Sequence, residues 1–129
     1  MKGYHVNIEK EALENEYFRK VLFTDTRSQL VLMCLKPLEE IGKEIHHLDQ
    51  FIRVESGSGL AVLDGEEIIL SDGSALIIPE GTEHNIINTS SDKFLKLYTI
   101  YTPPEHKDGT IHKTKEEALA DEHDHFEKE

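Results

Sequence analysis

The sequence is poor in cysteine, in cationic residues and in long apolar runs, and each shortage excludes something. Cys34 is the single cysteine among 129 residues, so no internal disulfide can form and a reducing, cytoplasmic setting is expected. No apolar run approaches the roughly 20 residues that a helix needs to cross a bilayer. The opening stretch MKGYHVNIEKEALENEYF lacks the apolar centre of a secretory signal. Only 14 lysines and arginines stand against 26 acids, a net charge of −12. Such a chain repels phosphate backbones and anionic lipid, so neither nucleic acid nor membrane is an expected partner. Seven of the acids and two lysines fall in residues 115–129, a net −5. An anionic substrate would need local compensation, such as a bound cation.

What is present is a soluble, globular composition, 37% apolar and 31% charged, at a length that suits one domain over residues 1–129. The segment IEKEALENEYFRK (8–20) places Ile8, Leu13 and Tyr17 near helical spacing and predicts a short N-terminal helix or turn. From about Phe18 the texture changes. YFRKVLF, QLVLMCL, EIHH, QFIRVE, LAVL, EEIIL, ALIIP, HNIIN and FLKLYTIY are short apolar runs of strand length, separated by turn-forming clusters. Asp64-Gly65 between LAVL and EEIIL marks a two-residue hairpin, because a type I′ turn needs positive φ. The pattern predicts an all-β sandwich or barrel over about 18–102. After Tyr101 the chain changes again. Pro103 and Pro104 donate no hydrogen bonds, so 103–129 reads as a C-terminal arm and acidic tail, with KEEALADEHDHFEKE either a frayed helix or disordered by its charge.

The stretch EIHHLDQF (44–51) holds the first chemistry. Side chains alternate faces along a strand, so Glu44, His46 and, without a bulge, Gln50 share a face that continues through Ile52 and Val54. The opposite register would bury Lys43 and Arg53, two cations. His46 is therefore expected inside and His47 outside. The second piece is GSALIIPEGTEHNIIN (73–88), whose spacing is Gly73-x5-Pro79-x-Gly81-x2-His84-x3-Asn88.

That spacing resembles the second motif of the cupin superfamily, G-x5-P-x-G-x2-H-x3-N, at every fixed position. The first cupin motif, H-x-H-x(3,4)-E-x6-G, aligns on Glu44, His46, Gln50 and Gly57; Glu44 stands where the first histidine would be and Gln50 where the glutamate would be. Leu38 occupies the place of the glycine that usually opens that motif. The resemblance covers about residues 30–102 and implies a double-stranded β-helix, or jelly roll, with a metal near one mouth. The closing stretch YTIYTPPEHKDGTIHKTKEEA resembles small single-domain bacterial cupins often described as sugar-isomerase-like.

Imidazole nitrogen, carboxylate oxygen and amide oxygen from Glu44, His46, Gln50 and His84 form a mixed set. It suits one divalent transition metal, Mn, Fe, Co, Ni or Zn, better than soft Cu(I). Such a metal would polarise a carbonyl as a Lewis acid, and Glu44 is the candidate catalytic base. The expected function is isomerisation or proton transfer on a sugar or keto-enol substrate. The alternatives are a metal-dependent dioxygenase, a non-catalytic small-molecule or metal-binding module, and a barrel whose metal is structural. Asn88 shares the parity of His84 and suits fixing a neighbouring loop. Arg53 is expected on the outer face beside an acid, Cys34 as a small core hydrophobe, and His106 and His112 on an ordered surface arm or, alternatively, a lid. His123 and His125 alternate with acids in the tail. Ile45 and Phe51 point away from the ligand face, so a second copy of the chain, forming a homodimer, is an expected partner alongside a small molecule.

Overall fold

In a computed structural model, which describes residues 2–126, strands dominate. In chain order the elements are α1 (Ile8–Glu14), β1 (Arg19–Thr24), β2 (Gln29–Leu35), β3 (Glu44–Ile45), β4 (Asp49–Ser56), β5 (Gly59–Leu63), β6 (Glu66–Leu70), β7 (Ala75–Ile78), β8 (Glu83–Asn88), β9 (Leu95–Thr102), β10 (Ile111–His112) and α2 (Lys115–Ala120). Two antiparallel sheets face each other, a six-stranded one in the order β10-β1-β2-β9-β4-β7 and a four-stranded one in the order β3-β8-β5-β6. The fold is the all-β jelly roll expected, with short helices at its two ends. Among the described residues no helix is long and apolar enough to cross a membrane.

The apolar runs become strands because their alternate residues meet across the space between the sheets. Val31, Met33 and Leu35 of β2, Ile52 and Val54 of β4, and Leu95 and Leu97 of β9 pack against Ala61, Leu70 and Ile86 of the smaller sheet. The inward side of β4 and β9 changes chemistry along its length. Val54 pairs with Leu97, Ile52 with Thr99 and Gln50 with Tyr101. One end of the barrel is therefore apolar and filled, and the other is polar. At the apolar end Gly57 has φ +116°, and a Cβ there would lie 2.6 Å from the Phe94 carbonyl oxygen, so only glycine fits.

Several boundaries differ from the sequence expectation. The N-terminal helix is capped by Asn7, whose side chain accepts from the Lys10 N–H at 3.1 Å. It ends at Glu14 rather than near Lys20, because the Asn15 side chain turns back and bonds both the N–H and the carbonyl of Tyr17. The run EIHH is a strand only at Glu44–Ile45. β3 pairs with β8 in the smaller sheet, whereas β4 pairs with β7 and β9 in the larger, so the chain crosses between sheets at 46–48. The continuous strand face assumed for Glu44 through Val54 does not exist. Beyond Thr102, two residues of the arm form β10 and add an edge strand to β1, a short pairing that no apolar run announces. The last acids of the tail, Glu127 and Glu129, lie outside the described residues.

Candidate metal centre

The crossover brings both sheets to one point. Glu44 on β3 lies directly opposite His84 on β8, and antiparallel partners share a face. His46 follows in the bend, and Gln50 enters from β4 on the facing sheet. The reversal after β7 is fastened to that bend. Gly81, at φ +83°, donates its N–H to the His46 carbonyl at 3.0 Å, and Glu80 donates its N–H to Asp49 Oδ1 at 2.9 Å. The two motifs are thereby locked together through backbone groups.

One ligand atom from each of Glu44, His46 and His84 lies within 4.8 Å of the others. His46 Nε2 is 3.2 Å from Glu44 Oε2, and the two imidazole rings are 4.8 Å apart at 63°. His84 Nδ1 lies 2.9 Å from the Thr82 carbonyl. A carbonyl only accepts, so Nδ1 carries the proton and the Nε2 lone pair is free. Gln50 donates from Nε2 to Thr99 Oγ1 at 3.0 Å, which leaves its amide oxygen as the free end. Both histidines and Gln50 are buried, and Glu44 is partly exposed.

Two buried atoms at this point have no partner among the described residues, Gln50 Oε1 and His46 Nδ1. A dry acceptor without a donor is unfavourable, and a cation answers it. Two imidazoles, a carboxylate and an unpartnered amide oxygen therefore fit a divalent ion. Burial acts to raise the Glu44 pKa, but the hydrogen bond and charge of His46, with smaller contributions from Arg19 and His84, hold it below the usual carboxylate range. Burial acts to lower the His46 pKa, but the Glu44 carboxylate outweighs it, and the neighbouring Gln50 amide adds to the rise.

The other residues singled out in the sequence fall as follows. His47 is exposed and Cys34 is buried, with burial pushing the thiol up to about 11. Arg53 lies partly exposed beside Glu55, 3.9 Å between charges. Asn88 is fully buried, with its amide nitrogen 2.9–3.1 Å from the Leu35, Lys36 and Lys93 carbonyls, so it ties two loops. His106 and His112 are not on the surface. They are 6% and 4% exposed, each held by a tail carboxylate: His106 by Asp124 at 2.7 Å and His112 by Asp121 at 2.9 Å. These two histidines can be buried in an otherwise mostly exposed arm because its acids satisfy them.

Sequence reasoning missed the wall that this arm builds. A cavity of about 310 Å³ opens beside Glu44, between the loop 41–43 and the arm, and Arg19, Glu105, His106 and Asp124 also line it. Tyr101 is buried between the rings of His46 and His106, 5.8 and 5.1 Å away. Asn85 holds the loop before Glu44, accepting from Gly42 N–H at 2.8 Å and donating to Glu40. The nested spacing His106…Asp124 and His112…Asp121 is the one sequence signal that points to the arm; Arg19 has none.

Comparison with known proteins agrees with this architecture. A model of the cupin domain matches residues 31–101. The uncharacterized protein YrkC of Bacillus subtilis is 43% identical over 128 residues, 94% of this chain and 68% of that protein. The uncharacterized protein L612 of Acanthamoeba polyphaga mimivirus is 46% identical over 112 residues, 84% of this chain and 70% of that protein. The crystal structure of BH2720 from Bacillus halodurans superposes with a TM-score of 0.90 at 44% identity, covering 93% of this chain and 96% of that one.

Proposed function

The chain belongs to the cupin family, and from that premise we propose that it is a metal-dependent enzyme that moves a proton next to a carbonyl of a small sugar or keto-enol substrate. One observation carries the reading: Glu44, His46 and His84 converge beside an unpartnered Gln50 oxygen, and Glu44 also lines a cavity of small-molecule size. His46, His84, Gln50 and Glu44 are the residues that would hold the ion. When bound, a divalent metal supplies Lewis acidity to a substrate carbonyl or hydroxyl.

The protein's own groups do the rest. Glu44 is the cluster member that lines the cavity, and its lowered pKa keeps it deprotonated at neutral pH. When it is not holding the ion, this carboxylate would accept a proton from carbon and return it to the neighbouring atom. Thr82 fixes the tautomer of His84 and Thr99 fixes the orientation of Gln50, so neither donor must reorganise. The Tyr101 ring packs edge-on against His46.

The test has two stages. Protein purified without a histidine tag or added metal is expected to carry about one equivalent of a divalent metal, and His46→Ala and His84→Ala about a tenth of that or less. Metal-loaded protein is then incubated in D2O with small hydroxy-ketones, and exchange of the carbon-bound hydrogen next to the carbonyl is followed by NMR. Glu44→Gln is expected to slow that exchange by roughly 10²–10⁴. Full metal in both histidine variants defeats the ligand set, and metal without exchange makes the protein a binding module.

A further inference from the structure

The cavity beside Glu44 contains a buried cation with an unused donor. Arg19, the first residue of β1, is 7% exposed and lines the same cavity as Glu44. Its Nη1 lies 3.1 Å from His112 Nδ1. His112 Nε2 faces the Asp121 carboxylate at 2.9 Å, so Nε2 carries the proton and Nδ1 accepts from the guanidinium. Arg19 is therefore oriented from behind by a histidine that is itself oriented. Its Nε, buried, has no hydrogen-bond partner among the described residues.

The carboxylates in the same wall do not use that donor. Asp124 forms an ion pair with Nη1 at 3.8 Å, beyond hydrogen-bond length, and leaves Nε unpaired. Its oxygens are occupied by His106 Nδ1 at 2.7 Å, Thr110 Oγ1 at 3.0 Å and the Lys107 N–H at 3.1 Å. Asp121 is engaged by His112 and Glu44 by His46. Glu105 is pushed upward by its burial, towards the uncharged form. A fixed guanidinium with a free N–H edge is the protein's recognition group for a planar oxyanion. With Asp124 and Glu105 close by, one negative charge is better matched than two.

We propose that the substrate is a small hydroxy- or keto-acid whose carboxylate is received by Arg19 while its carbonyl end lies at the Glu44–His46–His84 cluster. This rests on the small-molecule reading above and adds the substrate's charge class. In a chain of net charge −12 an anion needs local cations, and Arg19 shares this lining with Lys43 and Lys115.

Three probes of one skeleton test it: dihydroxyacetone, 3-hydroxypyruvate, which replaces one hydroxymethyl with a carboxylate, and dihydroxyacetone phosphate. Binding to metal-loaded wild type is measured by calorimetry, with metal content determined on the same sample. Hydroxypyruvate is expected to bind about tenfold or more tighter than dihydroxyacetone, a gain typical of a charge-assisted pair. Arg19→Gln is expected to remove that preference while leaving dihydroxyacetone unchanged, and Arg19→Lys to keep only part of it. Equal or undetectable binding of the acid to wild type overturns the proposal, as does tighter binding of the phosphate. An acid preference that survives Arg19→Gln places the carboxylate on the metal and overturns it too. An equal loss for all probes in Arg19→Gln makes Arg19 a staple for the arm, which likewise defeats the proposal. If Arg19→Gln does not fold, the wild-type preference and Arg19→Lys decide. Wild type without metal sinks the broader reading instead, so the two failures are distinguishable.

Discussion

At the scale of the residue, Leu38 shows how a motif position keeps its backbone demand after its side chain has changed. Where a cupin motif would open with glycine, Leu38 has φ +62° and is 66% exposed. A left-handed conformation costs a residue with a Cβ about 1–2 kcal/mol, and Leu38 recovers little of it by burial. Glycine removes that strain but loses more entropy on folding, about 0.5–1 kcal/mol. Leu38→Gly is therefore expected to stabilise the protein by up to about 1 kcal/mol, a rise of a few degrees in thermal midpoint. A fall in the midpoint would mean that Leu38 makes a contact its exposure conceals. Asp64 is the instructive contrast. It also has positive φ, 48°, but its side chain accepts the Glu83 N–H at 2.9 Å, so the hairpin gains a bond from the residue that bears the strain.

At the scale of the element, the arm after Thr102 is the least self-sufficient part of the fold. α2 has six residues, too few to be stable alone, and β10 has two. His112–Asp121 and His106–Asp124 fold the arm on itself, and Arg19–His112, Gln29–His106 and the β1–β10 pairing tie it to the barrel. Burial acts to raise the Asp124 pKa, but the hydrogen bond and charge of His106, with bonds from Lys107 and Thr110, hold it well below the usual carboxylate range. A carboxyl depressed in the folded state stabilises it fully above the unfolded value, about 3.9, and that contribution is lost as pH falls below it. Burial holds the His106 pKa below its ordinary value, so stability begins to fall below about pH 6.5. Hydrogen exchange read by mass spectrometry is expected to show residues 103–126 losing protection from there downward, before the barrel does. Asp124→Asn at neutral pH is expected to speed exchange in the arm by roughly tenfold. Loss of protection in arm and barrel together would show that the arm is not a separate unit.

At the scale of the whole molecule, the outer face of the six-stranded sheet carries an apolar row. Ile77 pairs with Phe51, Phe51 with Ile100, Ile100 with Leu30 and Leu30 with Phe23, and paired residues share a face. Tyr4 stacks on Phe23 at one end, 5.1 Å between rings, while Ile77 at the other end is 67% exposed. A row continuous across five strands suits an isologous contact with a second copy of the chain, in which Arg53 and Glu55 beside it supply charges of both signs. Sedimentation is expected to give a homodimer, and Ile77→Arg a monomer of unchanged fold by circular dichroism. A monomeric wild type would leave the row as ordinary surface.

The sequence by itself determined most of the strands, the Asp64-Gly65 hairpin and the family spacing. These follow from local periodicity, turn chemistry and fixed intervals, all of which are properties of neighbouring residues. It also singled out Gln50, but for an incomplete reason: Glu44 and Gln50 reach His46 from different sheets, not from one strand that presents both. Only the tertiary structure decided what surrounds the cluster. Arg19 lies 25 positions before Glu44, and Asp124 lies 80 after it; no period relates them. Burial of His106 and His112 depends on acids in a segment whose charge, read locally, argues for exposure. His106 and Asp124 leave water together, and Asp121 reaches the buried His112 from the surface; both relations exist in space, not along the chain.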